Sequence, residues 1–138
     1  MAGLVPHVGE ELALKNLLNH TPPQDQVVKL FVNNVTPSEG DTAATYTEMS
    51  TQGYASKALT GASWVVTPGA PPSAAYSQQT WTFDGTGGAT VVYGYFIVQA
   101  WSGELIGAER FDVPPTMSNN GDQIKVTPKL RVKRGSPA

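Results

Sequence analysis

The chain contains no cysteine. That excludes disulfides, thiolate zinc sites and a cysteine nucleophile together, and it fits a protein not shaped by an oxidising compartment. Charge is scarce as well: 14% of the 138 residues are Asp, Glu, Lys or Arg, against about a quarter in ordinary soluble domains. So few charges suggest surface that does not stay in water. No window approaches the roughly 20 consecutive apolar residues that span a bilayer. The opening MAGLVPHVGEELALKNLL lacks a basic leader and is broken by Glu10, Glu11 and Lys15, so it predicts no export signal and no membrane association.

The charge that is present is unevenly spread. Residues 1–124 carry four Lys/Arg against all eleven Asp/Glu, a balance of −7, whereas residues 125–138 carry five Lys/Arg and no acid. At this length the chain reads as one folding unit able to bury a core without covalent staples. The expected divisions are an N-terminal arm and helix over 1–23, a β-sandwich over 24–134 and a loose end over 135–138.

One helix is predicted. In GEELALKNLLNH, Leu14, Leu17 and Leu18 stand at i, i+3 and i+4, Glu10 and Glu11 occupy the first turn, and Glu11 pairs with Lys15 at i, i+4. Pro22 and Pro23 are expected to end it. A helix of about eleven residues is marginal alone in water, so the leucine stripe is expected to dock on the sheet or on another subunit.

Beyond residue 23 the pattern is β. VVKLFVN (27–33) alternates, with Val28, Leu30 and Val32 on one face. TAATYTEM (42–49) and SKALTGASWVVTP (56–68) are rich in Thr, Val and aromatics, with a bend or bulge at Gly61. GAPPSAA (69–75) reads as a loop, YSQQTWTF (76–83) as a strand with Trp81 and Phe83 on one side, and DGTGG (84–88) as a hairpin connection. ELIGAERF (104–111) follows a tight turn at Ser102-Gly103. QIKVTPKLRVK sets Ile124, Val126, Leu130 and Val132 against Lys125, Lys129, Arg131 and Lys133, and Pro128 marks an edge or a change of direction. Seven or eight short strands after one helix predict a mainly β protein, an antiparallel sandwich of jelly-roll or immunoglobulin-like type.

VVYGYFIVQAW (91–101) is the most apolar stretch. As a continuous strand it puts Tyr93, Tyr95, Ile97, Gln99 and Trp101 on one side and Val92, Gly94, Phe96, Val98 and Ala100 on the other. One side fills the core; the other is covered either by the helix or by a second copy, since Tyr and Trp favour half-wet interfaces.

Chemistry is hard to find. His7 and His20 have no partner at metal-ligand spacing. Glu10 and Glu11 point to different helix sides, and Glu39 and Asp41 lie in a turn. Residues 84–88 lack the Lys-Ser/Thr of a phosphate-binding loop, and Gly61-Ala62-Ser63 lacks the second glycine of a nucleophile elbow. No catalytic residue, metal or cofactor is expected. The basic edge alternates with buried positions and has no interleaved aromatics, so it suits a solvated face or an acidic protein partner better than nucleic acid.

The runs GYASKALTGASWVVTPGAPPSAAYSQQTWTF, VVYGYF, AERF and NNGDQIKVTPKLRV resemble small virion proteins of tailed bacteriophages, in particular the capsid cement (decoration) proteins of some short-tailed phages. The likeness covers most of residues 10–132. It implies a jelly-roll homodimer, made in the host bacterial cytoplasm, that binds the outside of a shell of major capsid protein and clamps neighbouring subunits. It supplies no catalytic residues. The candidate contact residues are Leu14, Leu17, Leu18, Tyr93, Tyr95, Trp101, Lys129, Arg131 and Lys133. A tail, baseplate or receptor- or glycan-binding component is the alternative, and it would show exposed aromatics in a pocket.

Overall fold

A computed structural model describes residues 3–131. One α-helix, α1 (His7–Leu17), precedes eleven short strands among the described residues. These are β1 (Gln26–Phe31), β2 (Lys57–Leu59), β3 (Val65–Thr67), β4 (Ser73–Ala75), β5 (Gln79–Thr82), β6 (Thr90–Val91), β7 (Gly94–Gln99), β8 (Leu105–Arg110), β9 (Thr116–Met117), β10 (Gln123–Val126) and β11 (Lys129–Arg131). They form four separate antiparallel sheets: β2-β1-β7-β8, β11-β4-β3, β10-β5 and β6-β9. The protein is therefore mainly β with one short helix, in more and shorter strands than the sequence pattern suggests. The expected loose end at 135–138, together with Val132, Lys133 and Arg134, lies outside the described residues.

Local rules account for much of this. β1 alternates as its sequence requires, with Val28 and Leu30 fully buried on one face. β7 and β8 are joined by the Ser102-Gly103 turn and pair from Gly94↔Arg110 onward. Gly61 opens a single 3-10 turn (Gly61–Ser63) that separates β2 from β3. Pro128 has no N–H to give to a ladder. The chain accordingly leaves β10, paired with β5, and enters β11, paired with β4.

Three segments depart from expectation. Residues 42–49 hold a 3-10 turn at Ala43–Thr45 and one isolated bridge, Phe31↔Glu48, instead of a strand. Part of the expected loop 69–75 is β4. DGTGG does not close a hairpin, because β5 pairs with β10 and β6 with β9. Its shape is set locally: Asp84 Oδ1 accepts from Thr86 N–H at 2.9 Å and from Thr86 Oγ1 at 2.6 Å, while Gly85, Gly87 and Gly88 take positive φ.

Two apolar clusters lie on opposite faces of the four-stranded sheet. The first gathers Val28, Leu30, Tyr95 and Ile97 with Leu59, Trp81, Phe83, Val92, Met117, Ile124 and Val126. The second gathers Phe31, Phe96, Val98, Leu105 and Ala108 with Tyr46, and Val8 and Tyr93 pack against it. Each fully buried aliphatic side chain contributes about 1.5–3 kcal/mol. Both faces of β7 are thus filled from within the chain. The expected alternation across 91–101 breaks at Val92-Tyr93, just before β7 begins: Val92 shares a cluster with Tyr95, while Tyr93 lies with Phe96.

The N-terminal arm is part of the same body. Gly3 bridges Leu130 and Leu4 bridges Ala108, so α1 is carried onto β8. The approach is close enough that a Cβ added at Gly9 would lie 2.6 Å from the Ile106 carbonyl oxygen. The helix ends earlier than the prolines. Asn19 takes φ 57°, with bonds from Asn19 N–H to Asn16 O (3.2 Å) and from His20 N–H to Lys15 O (2.8 Å), the paired closure of a left-handed C-terminal cap.

Candidate interaction surface

The helix presents its two sides very differently. Gly9 and Leu12 are buried against β8. Leu14, Leu17 and Leu18, roughly opposite at 100° per residue, are 60%, 81% and 73% exposed. The leucine stripe expected to dock is therefore largely exposed among the described residues, and the docked face is the one that carries Gly9 and Leu12. Glu11 and Lys15 flank the stripe as a 2.8 Å ion pair. Their hydrogen bond is the main cause that lowers the Glu11 pKa and raises that of Lys15. At the N-terminus of the helix His7 stands 3.5 Å from Glu10 and 3.7 Å from Glu39.

Trp101 sits in the β7–β8 turn, 85% exposed. Its backbone is held: the N–H groups of Trp101 and Ser102 donate to Gln24 Oε1 at 2.9 and 3.1 Å. Nearby, Gln99, Leu12, Ala13, Trp64, Val66 and Leu130 line an open apolar groove of about 300 Å³ between α1 and the β11-β4-β3 sheet. Trp64 is fixed there by its Nε1–H bond to Gln26 Oε1 (2.8 Å) and an edge-on contact with Tyr76.

The two candidate tyrosines are not surface residues of equal standing. Tyr95 is 2% exposed and belongs to the first cluster, which removes it from any interface. Burial, then Glu109, hold its hydroxyl protonated well above the ordinary tyrosine pKa. Tyr93 is half-buried, with the Arg110 guanidinium 5.1 Å from its ring centroid and Arg110 Nη1 donating to Val35 O at 3.0 Å.

The basic edge is split by the crossover at Pro128. Lys125 lies on β10, and Lys129 and Arg131 lie on β11; all three are exposed. Lys133 lies outside the described residues. Lys125 and Lys129 border a shallow hollow of about 250 Å³ that also contains Glu109, Tyr95 and Phe111. An acid of the same chain therefore shares that hollow with the two lysines. Across the described residues no group of three or more His, Asp or Glu is placed to hold a metal ion, and no helix is long and apolar enough to cross a membrane.

Sequence reasoning missed Val65 and Val66, which stand 67% and 68% exposed on β3. Their signal was present: no charged residue occurs between Lys57 and Asp84. Comparison of the chain with known protein families, curated proteins and solved structures finds no match.

Proposed function

We propose that this is a non-enzymatic structural protein of a bacteriophage virion, bound to the outside of the capsid shell as a cement protein and clamping neighbouring major capsid subunits. The observation that carries the reading is the bare leucine stripe Leu14, Leu17 and Leu18, held on a helix whose other side is fixed to β8. A rigidly mounted apolar stripe is suited to burial against another protein. The resemblance of most of residues 10–132 to cement proteins points to a major capsid protein as that partner. A shell loaded by packed DNA needs many identical clamps, and a low-charge β body offers contact area without moving parts.

In this reading the four-stranded sheet and the β10-β5 pair, which both contribute to the first cluster, are the two layers of a jelly-roll sandwich. Lys129, Arg131 and Lys133 add attraction to acidic groups of the capsid protein, and nucleic acid is not a partner. The protein acts as a homodimer on the virion.

Copy counting by mass spectrometry of purified virions tests the proposal. Copies in proportion to the major capsid protein support it. A count matched to the tail would reassign the protein to tail or baseplate, where Trp101, bare on its turn, offers a platform for stacking a sugar or receptor. Absence from the particle would overturn both.

A further inference from the structure

We propose that two copies of the chain join edge to edge through β3, antiparallel across a two-fold axis, so that β11-β4-β3 and its copy become one six-stranded sheet. The dimer expected from residues 91–101 thereby takes a different surface, since both faces of β7 are filled within the chain.

β3 is the outer strand of its sheet, paired with β4 on one side and with no strand on the other among the described residues. It is also the one described strand in which every residue is exposed. Free strand edges are templates for pairing, and proteins block them with charge, cover or brevity. Most of the other edges here are managed in those ways, the uncharged β5 excepted. β2 carries Lys57, whose ammonium lies 5.6 Å from the centre of the Trp81 ring. β8 is covered by the Leu4 bridge and by α1, β10 carries Lys125, and β11 carries Lys129 and Arg131 and is bridged by Gly3. Among the described residues, β3 has neither charge nor cover. Pro68 limits only its length.

The occupant follows from charge. In a two-fold contact, residues near the axis face their own copies, so any charge there would meet its like. From Ala58 to Phe83 the sequence holds no Asp, Glu, Lys or Arg, its longest such run. A second copy meets no repulsion at this edge, whereas an acidic, basic or phosphate-bearing partner finds no countercharge. The side chains agree: antiparallel pairing sets valines of the two strands on shared faces. On one of those faces Val66 already forms the wall of the apolar groove with Leu12 and Trp64. A three-residue edge is a small contact, so the dimer is weak and reversible in solution. The inference gives the homodimer of the proposed function its surface; copy counting on virions tests the capsid address separately, so the two can fail apart.

Because the natural chain has no cysteine, single-cysteine variants report pairing cleanly. Val65→Cys, Val66→Cys and Thr67→Cys are oxidised one at a time, with Leu17→Cys as control. Directly opposed Cβ atoms in such a pair stand about 4.5–5.5 Å apart, close to disulfide reach. At least one β3 variant should form covalent dimer at least tenfold faster than the control. Sedimentation of the unmodified chain should show reversible dimer, and Val66→Lys should be monomeric with an unchanged melting temperature. If Val66→Lys fails to fold, the cysteine series decides alone. The proposal is overturned if no β3 variant outpaces Leu17→Cys, if the unmodified chain remains monomeric at millimolar concentration, or if a dimer survives Val66→Lys and is lost in Leu17→Asp.

Discussion

Tyr95 and Glu109 stand directly opposite each other on β7 and β8, and the Tyr95 hydroxyl donates to Glu109 Oε2 at 2.9 Å. The same hydroxyl oxygen accepts from the Lys129 N–H at 3.4 Å, so one buried group ties β7, β8 and β11. Tyr95→Phe should keep the packing and lose both bonds, lowering stability by about 1–2 kcal/mol in urea unfolding. An unchanged midpoint would mean that the hydroxyl has no part in the tie.

Two further tyrosines use the same device. Tyr46 donates to Asp41 Oδ2 at 2.7 Å and Tyr54 to Glu48 Oε2 at 2.8 Å. Burial first, then the neighbouring carboxylate, raises the pKa of each; for Tyr54 the Leu30 N–H partly opposes this. A folded pKa above the unfolded value of about 10 gives stability that is fully present below that value and is lost as pH rises through the folded pKa. The melting temperature should therefore show no tyrosine-linked fall from pH 7 to about 9 and decline above about 10. Tyr95→Phe should soften the decline, and differential scanning calorimetry across that range would reveal it.

Gly94 has no room for a side chain. A Cβ there would collide with the Glu109 carbonyl oxygen and lie 2.7 Å from the Phe31 ring. Gly94→Ala should cost about 1–3 kcal/mol through overpacking, seen as a lowered denaturant midpoint. A neutral result would show that the sheet relaxes freely at this point.

The helix predicts a contrast between its two sides. Leu14→Asp and Leu18→Asp should alter stability by no more than about 0.5 kcal/mol, as exposed substitutions do, yet abolish retention on capsid shells. Leu12→Asp, which buries an unpaired carboxylate against β8, should unfold the chain or come close to it. Thermal melts alongside shell pull-down separate the two effects.

Where one side of an element decides its fate, the sequence was readable. β1 follows its alternation, and the Glu11–Lys15 pair stands where the spacing put it. Two-sided burial at the centre of 91–101, in β7, was also legible, but what covers it was not, and the run's end at Trp101 is exposed. Phe31 and Tyr46 reach Phe96 from far along the chain, with ring centroids 6.4 and 5.2 Å away, and no local pattern announces such partners. Tyr46 shows why 42–49 was misread as a strand: its β-type composition serves packing against a sheet from a 3-10 turn. DGTGG carries true turn chemistry, but turn chemistry does not determine which strands pair. Leu14, Leu17 and Leu18 have the spacing of a docked stripe. The docked side is instead chosen by how closely Gly9 lets the backbone approach β8. At the candidate surface, Trp101, Lys129 and Arg131 are exposed and Tyr95 is buried; Tyr95 keeps the face it shares with Ile97, and the break in alternation at Val92-Tyr93 carries Tyr93 to the opposite one.

The bridges from Gly3 to Leu130 and from Leu4 to Ala108 set a timetable for folding. β1 waits for β7, β4 waits for β11, and the arm waits for both β8 and β11. A ribosome must therefore deliver almost the whole described sequence before any of the larger sheets can close. Such distant pairings make for folding in milliseconds to seconds, slower than for helical proteins of equal size. Throughout that interval the uncharged strand β3 is bare, and chains made in quantity meet one another while it is so.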